Sequence, residues 1–209
     1  SQKKTEAAIL NNRFDDELIK INQDGNILDK DEHPRADTSL EKLATLKTPF
    51  REEGTITAGN CSGVNDGAAA LLVGSESVGE QFGLSPIAKV SAIAVTGVEP
   101  RIMGMGPFPA TEKLLTKTGL NISEIDLIEL NEAFASQSLA VLRQLGISDN
   151  ADHVNINGGA IALGHPLGMS GARITGTVAL ELKRKGLKRA IATMCIGVGQ
   201  GIAILIEAV

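Results

Sequence analysis

Leu127–Leu145, LIELNEAFASQSLAVLRQL, places a short apolar strand directly before a helical repeat of apolar residues. The strand is predicted over Leu127–Leu130 and the helix over residues 132–145, because apolar side chains then recur at intervals of three and four. The same order of strand and helix is predicted at three other places: over 68–83, over 89–119 and from Val154 to residue 186. Alternation of this kind predicts a layered α/β domain.

The chain ends in two apolar segments, Arg189–Cys195 and Gly201–Glu207, which a glycine-rich turn separates. Their short spacing predicts an antiparallel hairpin, so the sheet of this α/β domain is expected to be mixed. The first quarter of the chain is polar and has little continuous apolar sequence. It predicts only short elements: a helix over 2–12, a strand over Glu17–Ile21, a turn at Asp24–Asn26, and a helix that a capping box at Thr38–Glu41 starts and that ends before Pro49.

Composition limits the classes of function. The 209 residues include no Trp or Tyr and five Phe, so the core must be built from aliphatic side chains. The net charge of −5 and the dispersed basic residues argue against a nucleic-acid partner. No apolar run has membrane-spanning length and the start, SQKKTEAAI, has no signal-peptide core, so we expect no membrane partner and a cytoplasmic location. The two cysteines lack the spacing of a zinc site or a disulfide framework, which fits a reducing compartment.

Two reactive side chains lie between glycines. His165 lies in Gly158–Gly168, GGAIALGHPLG, and Cys195 opens the turn CIGVGQG. Glycine lets a ligand approach the backbone closely, because it has no Cβ. A cysteine beside a ring nitrogen can exchange protons with it, so His165 and Cys195 are predicted to be catalytic. We expect a neighbouring imidazolium or aimed N–H groups to lower the pKa of Cys195 by about 1.5 units, which corresponds to roughly 2 kcal/mol.

Other candidates have competing interpretations. Asn131 follows the strand Leu127–Leu130, so it is either the N-cap of the next helix or a ligand-facing residue that holds a water at the strand end, and the second is favoured. The turn Gly197–Gly199 contains GxG, but a strand follows it, so an anion-binding nest is favoured over a dinucleotide site. Three residues are predicted to have no catalytic role: Cys61 as a small buried hydrophobe, and His33 and His153 as solvated side chains.

Three motifs together resemble those of the thiolases: Asn131–Phe134 (NEAF), Gly158–Gly168 and Cys195–Gly201. The segment Thr57–Ala70, TAGNCSGVNDGAAA, extends this resemblance, which covers essentially the whole chain. It implies a fold of two similar α/β halves packed back to back in five layers, with this chain as the C-terminal half that lacks the nucleophilic cysteine. The implied divisions are the end of a loop domain over 1–63, the last elements of the N-terminal half over 64–87, and the C-terminal domain over 88–209.

The resemblance also implies a reaction. Thiolases pass an acyl group between coenzyme A and a nucleophilic cysteine, so acyl-CoA and coenzyme A are expected as substrates, with no permanently bound cofactor and no metal. By this match His165 activates the nucleophile and, with a water held by Asn131, forms the first oxyanion hole. Cys195 is the acid/base cysteine. The N–H of Gly197 lines the second oxyanion hole, where one donor is worth about 3 kcal/mol.

The same resemblance assigns a coenzyme A side. Ser62 is expected to contact the pantetheine arm, Ala58 and Phe134 to form walls of its tunnel, and Arg35 to lie near the nucleotide end. A homo-oligomer and an N-terminal thiolase half are the implied protein partners. Within the family, the sequence leans towards the degradative 3-ketoacyl group, including enzymes that act on ketoadipyl substrates. The alternative is a half-thiolase without activity that binds coenzyme A or dimerises.

Overall fold

The computed structural model describes all 209 residues, which form seven α-helices and six strands. The helices are α1 Gln2–Leu10, α2 Leu40–Ala44, α3 Glu76–Gln81, α4 Pro107–Thr118, α5 Ala135–Gln144, α6 Ala160–Leu163 and α7 Ser170–Lys185. The strands are β1 Ile21–Gln23, β2 Asn26–Leu28, β3 Lys89–Gly97, β4 Leu127–Leu130, β5 Arg189–Ile196 and β6 Gln200–Glu207. Two short 3₁₀ helices cover Pro100–Met105 and Ile122–Glu124. None of the helices combines the length and the apolar character needed to cross a membrane.

Four strands form one mixed sheet in the order β3-β6-β5-β4. Strand β6 is antiparallel to both β3 and β5, whereas β4 lies parallel to β5. Along β5, Ile191 belongs to one apolar cluster while Ala190 and Ala192 belong to the other, because successive side chains point to opposite faces of a sheet. Helices α4 and α5 contribute to the first cluster and α7 to the second. The α/β class, the mixed sheet and the terminal hairpin are therefore confirmed.

The carboxyl ends of β4 and β5 meet at one edge of the sheet, because the two strands are parallel. Asn131 follows β4 and donates its backbone N–H to the carbonyl of Thr193 at 3.0 Å. Cys195 lies two residues further along β5, opposite Gly201 of β6. Ligands bind at this edge in many α/β sheets, so the fold places two predicted site residues where a site is expected.

The bounds of several elements differ from their predictions. Strand β4 matches its prediction, but α5 begins at Ala135 instead of residue 132, because Phe134 is extended and occupies the N-cap position. The sequence predicts a helix over 110–119, but α4 begins three residues earlier, at Pro107, whose fixed φ suits the first turn of a helix. The strand expected near Val154 is reduced to a single bridge with Ile128.

Near the N-terminus, the strand predicted over Glu17–Ile21 is wrong, since β1 begins at Ile21. It pairs with β2 across a two-residue turn in which Asp24 and Gly25 have φ values of 53° and 88°. Two positive φ values are typical of the type I′ turn that joins hairpin strands, so the predicted turn is confirmed. Helix α2 is capped by Ser39, whose hydroxyl accepts the N–H of Lys42 at 3.3 Å.

The apolar run Ala68–Val73 forms no strand, although the sequence predicts one there. Its side chains are exposed, with Leu72 at 86% and Val73 at 72%. The helix expected after it is present as α3. A β-strand needs a neighbouring backbone to complete its hydrogen bonds, and no other strand of the chain lies beside this run.

Replacing Gly201 by alanine is expected to reduce the free energy of unfolding by about 3 kcal/mol, because overpacking against backbone has no easy relief. A Cβ on Gly201 would overlap the backbone of Gly106, which passes directly over the hairpin. Gly168→Ala is the control, since its Cβ would meet nothing within 4 Å, and it should change stability by less than about 0.5 kcal/mol. Urea unfolding of both variants measures the difference. Equal stabilities would show that the 3₁₀ segment can move away from the hairpin.

Candidate active site

His165 lies in the loop between α6 and α7. Helix α6 ends at Leu163 and is followed by its C-cap, Gly164, which has a φ of 89° that L-amino acids with a side chain rarely adopt. Pro166 follows, and its carbonyl accepts the N–H of Ser170 at 3.0 Å as α7 begins. The loop is therefore fixed at both ends. His165 remains half-buried on it, so the imidazole is held at a defined place beside the sheet edge.

Both ring nitrogens of His165 have a hydrogen-bond partner. The Ser170 hydroxyl lies 2.6 Å from Nδ1 and donates its own proton to the Pro166 carbonyl at 3.0 Å. Ser170 must then accept from the ring, which assigns the proton to Nδ1 and leaves Nε2 as an acceptor. The Asn131 Nδ2 faces that nitrogen at 3.3 Å. A neutral imidazole whose Nε2 carries no proton is the form that can take a proton from a thiol.

Asn131 is buried, with 0% of its surface exposed. It is not the N-cap of α5, because Phe134 holds that position. Its side chain donates to the His165 ring, while its Oδ1 is buried without a hydrogen-bond partner. A buried carbonyl oxygen without a donor is costly, so this position is suited to a water or another donor. The predicted strand-end placement of Asn131 is confirmed.

Cys195 is the second-last residue of β5, just before the hairpin turn. Its side chain is buried, with 4% of the residue exposed. Burial raises the pKa of its thiol above the usual value, so the expected lowering of this pKa is wrong. Burial and then the charge of Arg173 lower the pKa of His165, so the ring is neutral and no imidazolium stands beside the thiol. No hydrogen bond joins Cys195 to His165. Both groups are neutral at pH 7, as suits acid–base exchange rather than a standing ion pair.

The hairpin turn presents backbone beyond Cys195. Val198 has a φ of 59° and Gly199 a φ of 88°, so the chain reverses direction there between β5 and β6. Gly197 is exposed, and a Cβ on it would meet nothing within 4 Å. None of the loop or side-chain hydrogen bonds uses its N–H. That N–H is free to donate to a ligand above the turn.

The residues expected on the coenzyme A side are only partly brought together. Ser62 donates its N–H and its hydroxyl to the carbonyl of Ala133, at 3.0 and 3.3 Å. This contact, with the bridge between Cys61 and Phe134, places Ser62 beside Phe134. Ala58 is exposed on the loop that precedes them. Arg35 is exposed as well, and only its backbone forms hydrogen bonds: its N–H donates to Gln2 and its carbonyl accepts from Thr38.

A buried ion pair lies beneath the imidazole. Glu129 of β4 accepts from Arg173 of α7 at 3.3 Å, between side chains that are 4% and 14% exposed. Burial raises the pKa of Glu129 to about 7, against the opposing effect of Arg173. Glu129 precedes Asn131 by two residues and Arg173 follows Ser170 by three, so the pair connects the two elements that hold the ring of His165.

Comparisons with known proteins agree with this arrangement. A family model described as the thiolase C-terminal domain matches residues 84–208, and one described as the thiolase N-terminal domain matches residues 1–77. The chain belongs to the thiolase family. Its divisions at residues 63 and 87 remain predictions, as do the roles assigned to individual side chains.

Named thiolases are similar along the whole chain. The 3-oxoadipyl-CoA/3-oxo-5,6-dehydrosuberyl-CoA thiolase of Escherichia coli K12 is 54% identical over 214 residues, covering 100% of this chain and 53% of that protein. The beta-ketoadipyl-CoA thiolase of Pseudomonas aeruginosa is 55% identical over 200 residues, or 94% of this chain and 50% of that protein. The acetyl-CoA acetyltransferase of Syntrophomonas wolfei is 49% identical over 212 residues, or 100% of this chain and 53% of that protein.

Solved thiolase structures share the fold. The acetyl-CoA acetyltransferase of Bacillus anthracis has a TM-score of 0.94 and 46% identity, covering 100% of this chain and 54% of that one. Human mitochondrial 3-ketoacyl-CoA thiolase in complex with CoA has a TM-score of 0.95 and 46% identity, covering 100% of this chain and 52% of that one. The thiolase chain described here thus spans about half the length of the relatives it matches.

Several supporting residues of this thiolase chain were not predicted from the sequence. The carboxylate of Glu132 accepts the N–H of Ile161 at 3.2 Å and the Asn155 amide at 3.1 Å, which braces the loop before His165. Glu132 belongs to the NEAF motif, so its place in that motif was an available signal. Ser170 had a weaker signal, as a hydroxyl in the first turn of the helix after a histidine. Asn65, which contacts the His165 backbone, had the same kind of signal as Glu132, since it belongs to the segment Thr57–Ala70.

Two simpler predictions are also corrected. His33 is half-buried and hydrogen-bonded to Asn65 at 3.2 Å, so it is not a solvated side chain. Cys61 is half-buried, so it is not a buried core residue. It lies in a loop, where its backbone pairs with that of Phe134. Both corrections have the same cause: loop 31–35 packs against loop 60–65, which in turn contacts the NEAF and His165 segments.

Proposed function

We propose that this chain forms part of a thiolase that transfers acyl groups between 3-ketoacyl-CoA and coenzyme A, by thiolytic cleavage or by the reverse Claisen condensation. The observation that carries the proposal is the neutral His165 ring, whose Nε2 is left as an acceptor by the Ser170 contact. This nitrogen can take the proton of a nucleophilic cysteine supplied by the other half of a thiolase subunit. A thiolate then attacks the acyl carbonyl.

The developing negative charge needs donors at two places. At the first, the resemblance assigns His165 and a water held by Asn131, and the unpartnered Oδ1 of Asn131 supports this assignment. At the second it assigns the N–H of Gly197, which has no other acceptor in its loop. Donors of this kind act on charge that appears only during the reaction.

Cys195 is assigned the proton transfers to and from substrate. In the cleavage direction, its neutral thiol gives its proton to the α-carbon that leaves as acetyl-CoA, and the thiolate so formed takes the proton of the incoming coenzyme A thiol. In the condensation direction both transfers run in reverse, so the thiolate takes a proton from the acetyl α-carbon. Its burial supports this role, because the raised pKa of the thiol makes the thiolate a stronger base. Ser62 and Phe134 are proposed to contact the pantetheine arm, with Ala58 beside them and Arg35 near the nucleotide.

The substrate is proposed to be a 3-ketoacyl-CoA of the ketoadipyl type, in a degradative reaction. This rests on the names of relatives, since those that are 54% and 55% identical are named for 3-oxoadipyl-CoA or beta-ketoadipyl-CoA. Acetoacetyl-CoA is the competing substrate, because an acetyl-CoA acetyltransferase is 49% identical. Neither substrate calls for a permanently bound cofactor.

The protein partner is proposed to be an N-terminal thiolase half, within a cytoplasmic homo-oligomer. The exposed apolar side chains of Leu71, Leu72 and Val73 support this, since they need a covering surface. The small residues of α7 are proposed to form the contact face: Gly171, Ala172, Thr175, Gly176 and Thr177. Part of this face is already covered, because Leu71 packs over Gly176 and Glu17 accepts from Thr177. The rest of that face is predicted to contact the other half.

The test measures thiolysis spectroscopically, with 3-oxoadipyl-CoA and acetoacetyl-CoA as substrates. The 209-residue chain alone should be inactive, because neither Cys61 nor Cys195 replaces the nucleophile. Joined to an N-terminal thiolase half that carries this cysteine, it should turn over, with the larger kcat/KM on 3-oxoadipyl-CoA. Sedimentation should show the chain self-associating alone and binding the added half.

A joined protein that binds coenzyme A without turnover would instead support the alternative of an inactive coenzyme A-binding or dimerisation module. A strictly monomeric, stable chain that ignores the other half would contradict the proposed partner.

A further inference from the structure

Asn65 lies between two segments that are far apart in sequence. Its Oδ1 accepts the backbone N–H of His165 at 3.2 Å, across 100 residues of chain. Its Nδ2 lies 3.2 Å from Nδ1 of His33, in the polar segment that also contains Arg35. A single half-buried amide thus joins the backbone of one histidine to the ring of another.

The direction of both hydrogen bonds is fixed by the backbone. A main-chain N–H can only donate, so the oxygen of the Asn65 amide must face His165. The amide nitrogen then faces His33 and donates to Nδ1, which must be unprotonated. A neutral His33 therefore carries its proton on Nε2, the opposite of the assignment for His165.

Glycines on both sides leave Asn65 little room to move. A Cβ on Gly164 would lie 2.5 Å from the Asn65 Oδ1, and one on Gly63 would lie 2.8 Å from the same oxygen. A Cβ on Gly67 would lie 2.6 Å from Cγ of Pro166. The segment 63–67 therefore lies flat against the His165 loop, and the amide fills the space that these glycines leave.

The segment that carries Asn65 also continues into the predicted coenzyme A side. Ser62 is three residues before Asn65 and is held to Ala133 by two hydrogen bonds. Movement of this segment relative to the NEAF motif is thus restricted, and Asn65 extends the restriction to the loop of His165. No other side chain hydrogen-bonds to the backbone N–H of His165.

We propose that Asn65 is a positioning residue for His165, which ties the segment facing coenzyme A to the peptide that carries the base. The proposal rests on the proposed thiolase function for its effect on rate. Its structural part is independent of activity, since it concerns only the bridge from His33 through Asn65 to His165.

The structural part is tested by NMR of the 209-residue chain labelled at Cε1 of histidine. The chain has three histidines, so three signals are expected. Asn65→Leu removes both hydrogen bonds and should shift the signals of His33 and His165, while the signal of His153 stays in place. Asn60→Leu is the matched control, because the side chain of Asn60 bonds only within its own loop, at Thr57 and Thr55. It should leave the His165 signal unchanged.

The effect on rate is tested in the complete subunit. Asn65→Leu should lower kcat by about 10-fold to 100-fold, the scale of a misplaced catalytic group, with a smaller change in the KM for coenzyme A. Asn65→Asp keeps an oxygen that accepts the His165 N–H, and should restore kcat to within about 3-fold of the unmutated enzyme, since that acceptor is charged and strong. A merely structural role would instead raise KM and leave kcat unchanged.

The outcomes separate the two proposals. An unmutated subunit without thiolase activity overturns the proposed function, while the NMR shifts still decide the bridge. An unshifted His165 signal in Asn65→Leu overturns the positioning role. If Asn65→Leu does not fold, Asn65→Asp decides instead: it should shift the His33 signal more than that of His165, and the reverse order contradicts the bridge.

Discussion

His165→Ala in the complete subunit is expected to lower kcat by about 10²-fold to 10⁴-fold, the range of a general acid–base group. The ring accepts at Nε2 and is held by Ser170 and Asn131, so its removal eliminates both the base and one donor of the proposed oxyanion hole. KM should change much less, because these interactions act on charge that develops in the transition state. Steady-state kinetics with a 3-ketoacyl-CoA substrate measures both constants.

The control for this variant is His153→Ala. His153 is half-buried in a loop, and the sheet uses only its backbone carbonyl, which accepts from Ile128. Its kcat should equal that of the unmutated enzyme. A near-normal kcat for His165→Ala, with unchanged thermal stability in both variants, would remove His165 from the mechanism.

The pH dependence gives a second check on His165. Burial lowers the pKa of its ring, so the neutral base persists to more acidic conditions than in water. The acid limb of kcat/KM should therefore lie below about pH 6.5, the ordinary value for histidine. This limb should disappear in His165→Ala. An acid limb above that value in the unmutated enzyme would mean that the ring is not the group that titrates.

Cys195→Ser should lower kcat by a similar factor, about 10²-fold to 10⁴-fold. A serine hydroxyl fills nearly the same volume at the end of β5 but gives up its proton far less readily than a thiol. The fold should therefore persist while both proton transfers fail. Single-turnover measurements with acetyl-CoA are the sharpest test, because acylation of the nucleophile expels a thiolate, which can leave without a proton, whereas the later removal of a proton from the α-carbon needs the Cys195 base.

Cys61→Ser is the matched control, since Cys61 is the other free cysteine of the chain. It should retain the kcat of the unmutated enzyme.

Burial raises the pKa of Cys195, so its thiolate becomes more abundant only as the pH rises above about 8.5. The step that uses this thiolate as a base should accelerate in that pH range. The loss of this acceleration in Cys61→Ser but not in Cys195→Ser would reverse the two assignments.

Local sequence patterns predicted much of the fold and part of the site. The apolar alternation around Leu127–Leu130 and the paired apolar segments at the end of the chain predicted β4 and the hairpin, because both depend on neighbours in sequence. The glycine-flanked positions of His165 and Cys195 were likewise visible, since glycine marks close backbone approach wherever it occurs. The boundaries of α4 and α5 were less well predicted, because a cap or a proline moves them by one turn.

Contacts between distant residues could not be predicted. The strand expected over Ala68–Val73 does not form. Its apolar pattern suits a strand, but no partner strand lies beside it. The pKa of Cys195 was predicted in the wrong direction, because the sequence shows a nearby histidine but not the depth of burial. Burial disfavours the charged form of a thiol, and only the packed sheet edge determines its extent.

By itself, then, the sequence determined the α/β order of the elements, the hairpin and the positions of the candidate reactive residues of this thiolase chain. These features depend on side-chain periodicity and residue type, which are local. Only the tertiary structure decided which nitrogen of His165 carries the proton, that Asn131 has an unpartnered oxygen, and that Asn65 holds the His165 peptide. A hydrogen bond depends on donor and acceptor atoms meeting within about 3 Å, and Asn131 and Asn65, which lie 34 and 100 positions from His165, meet it only after the chain has folded.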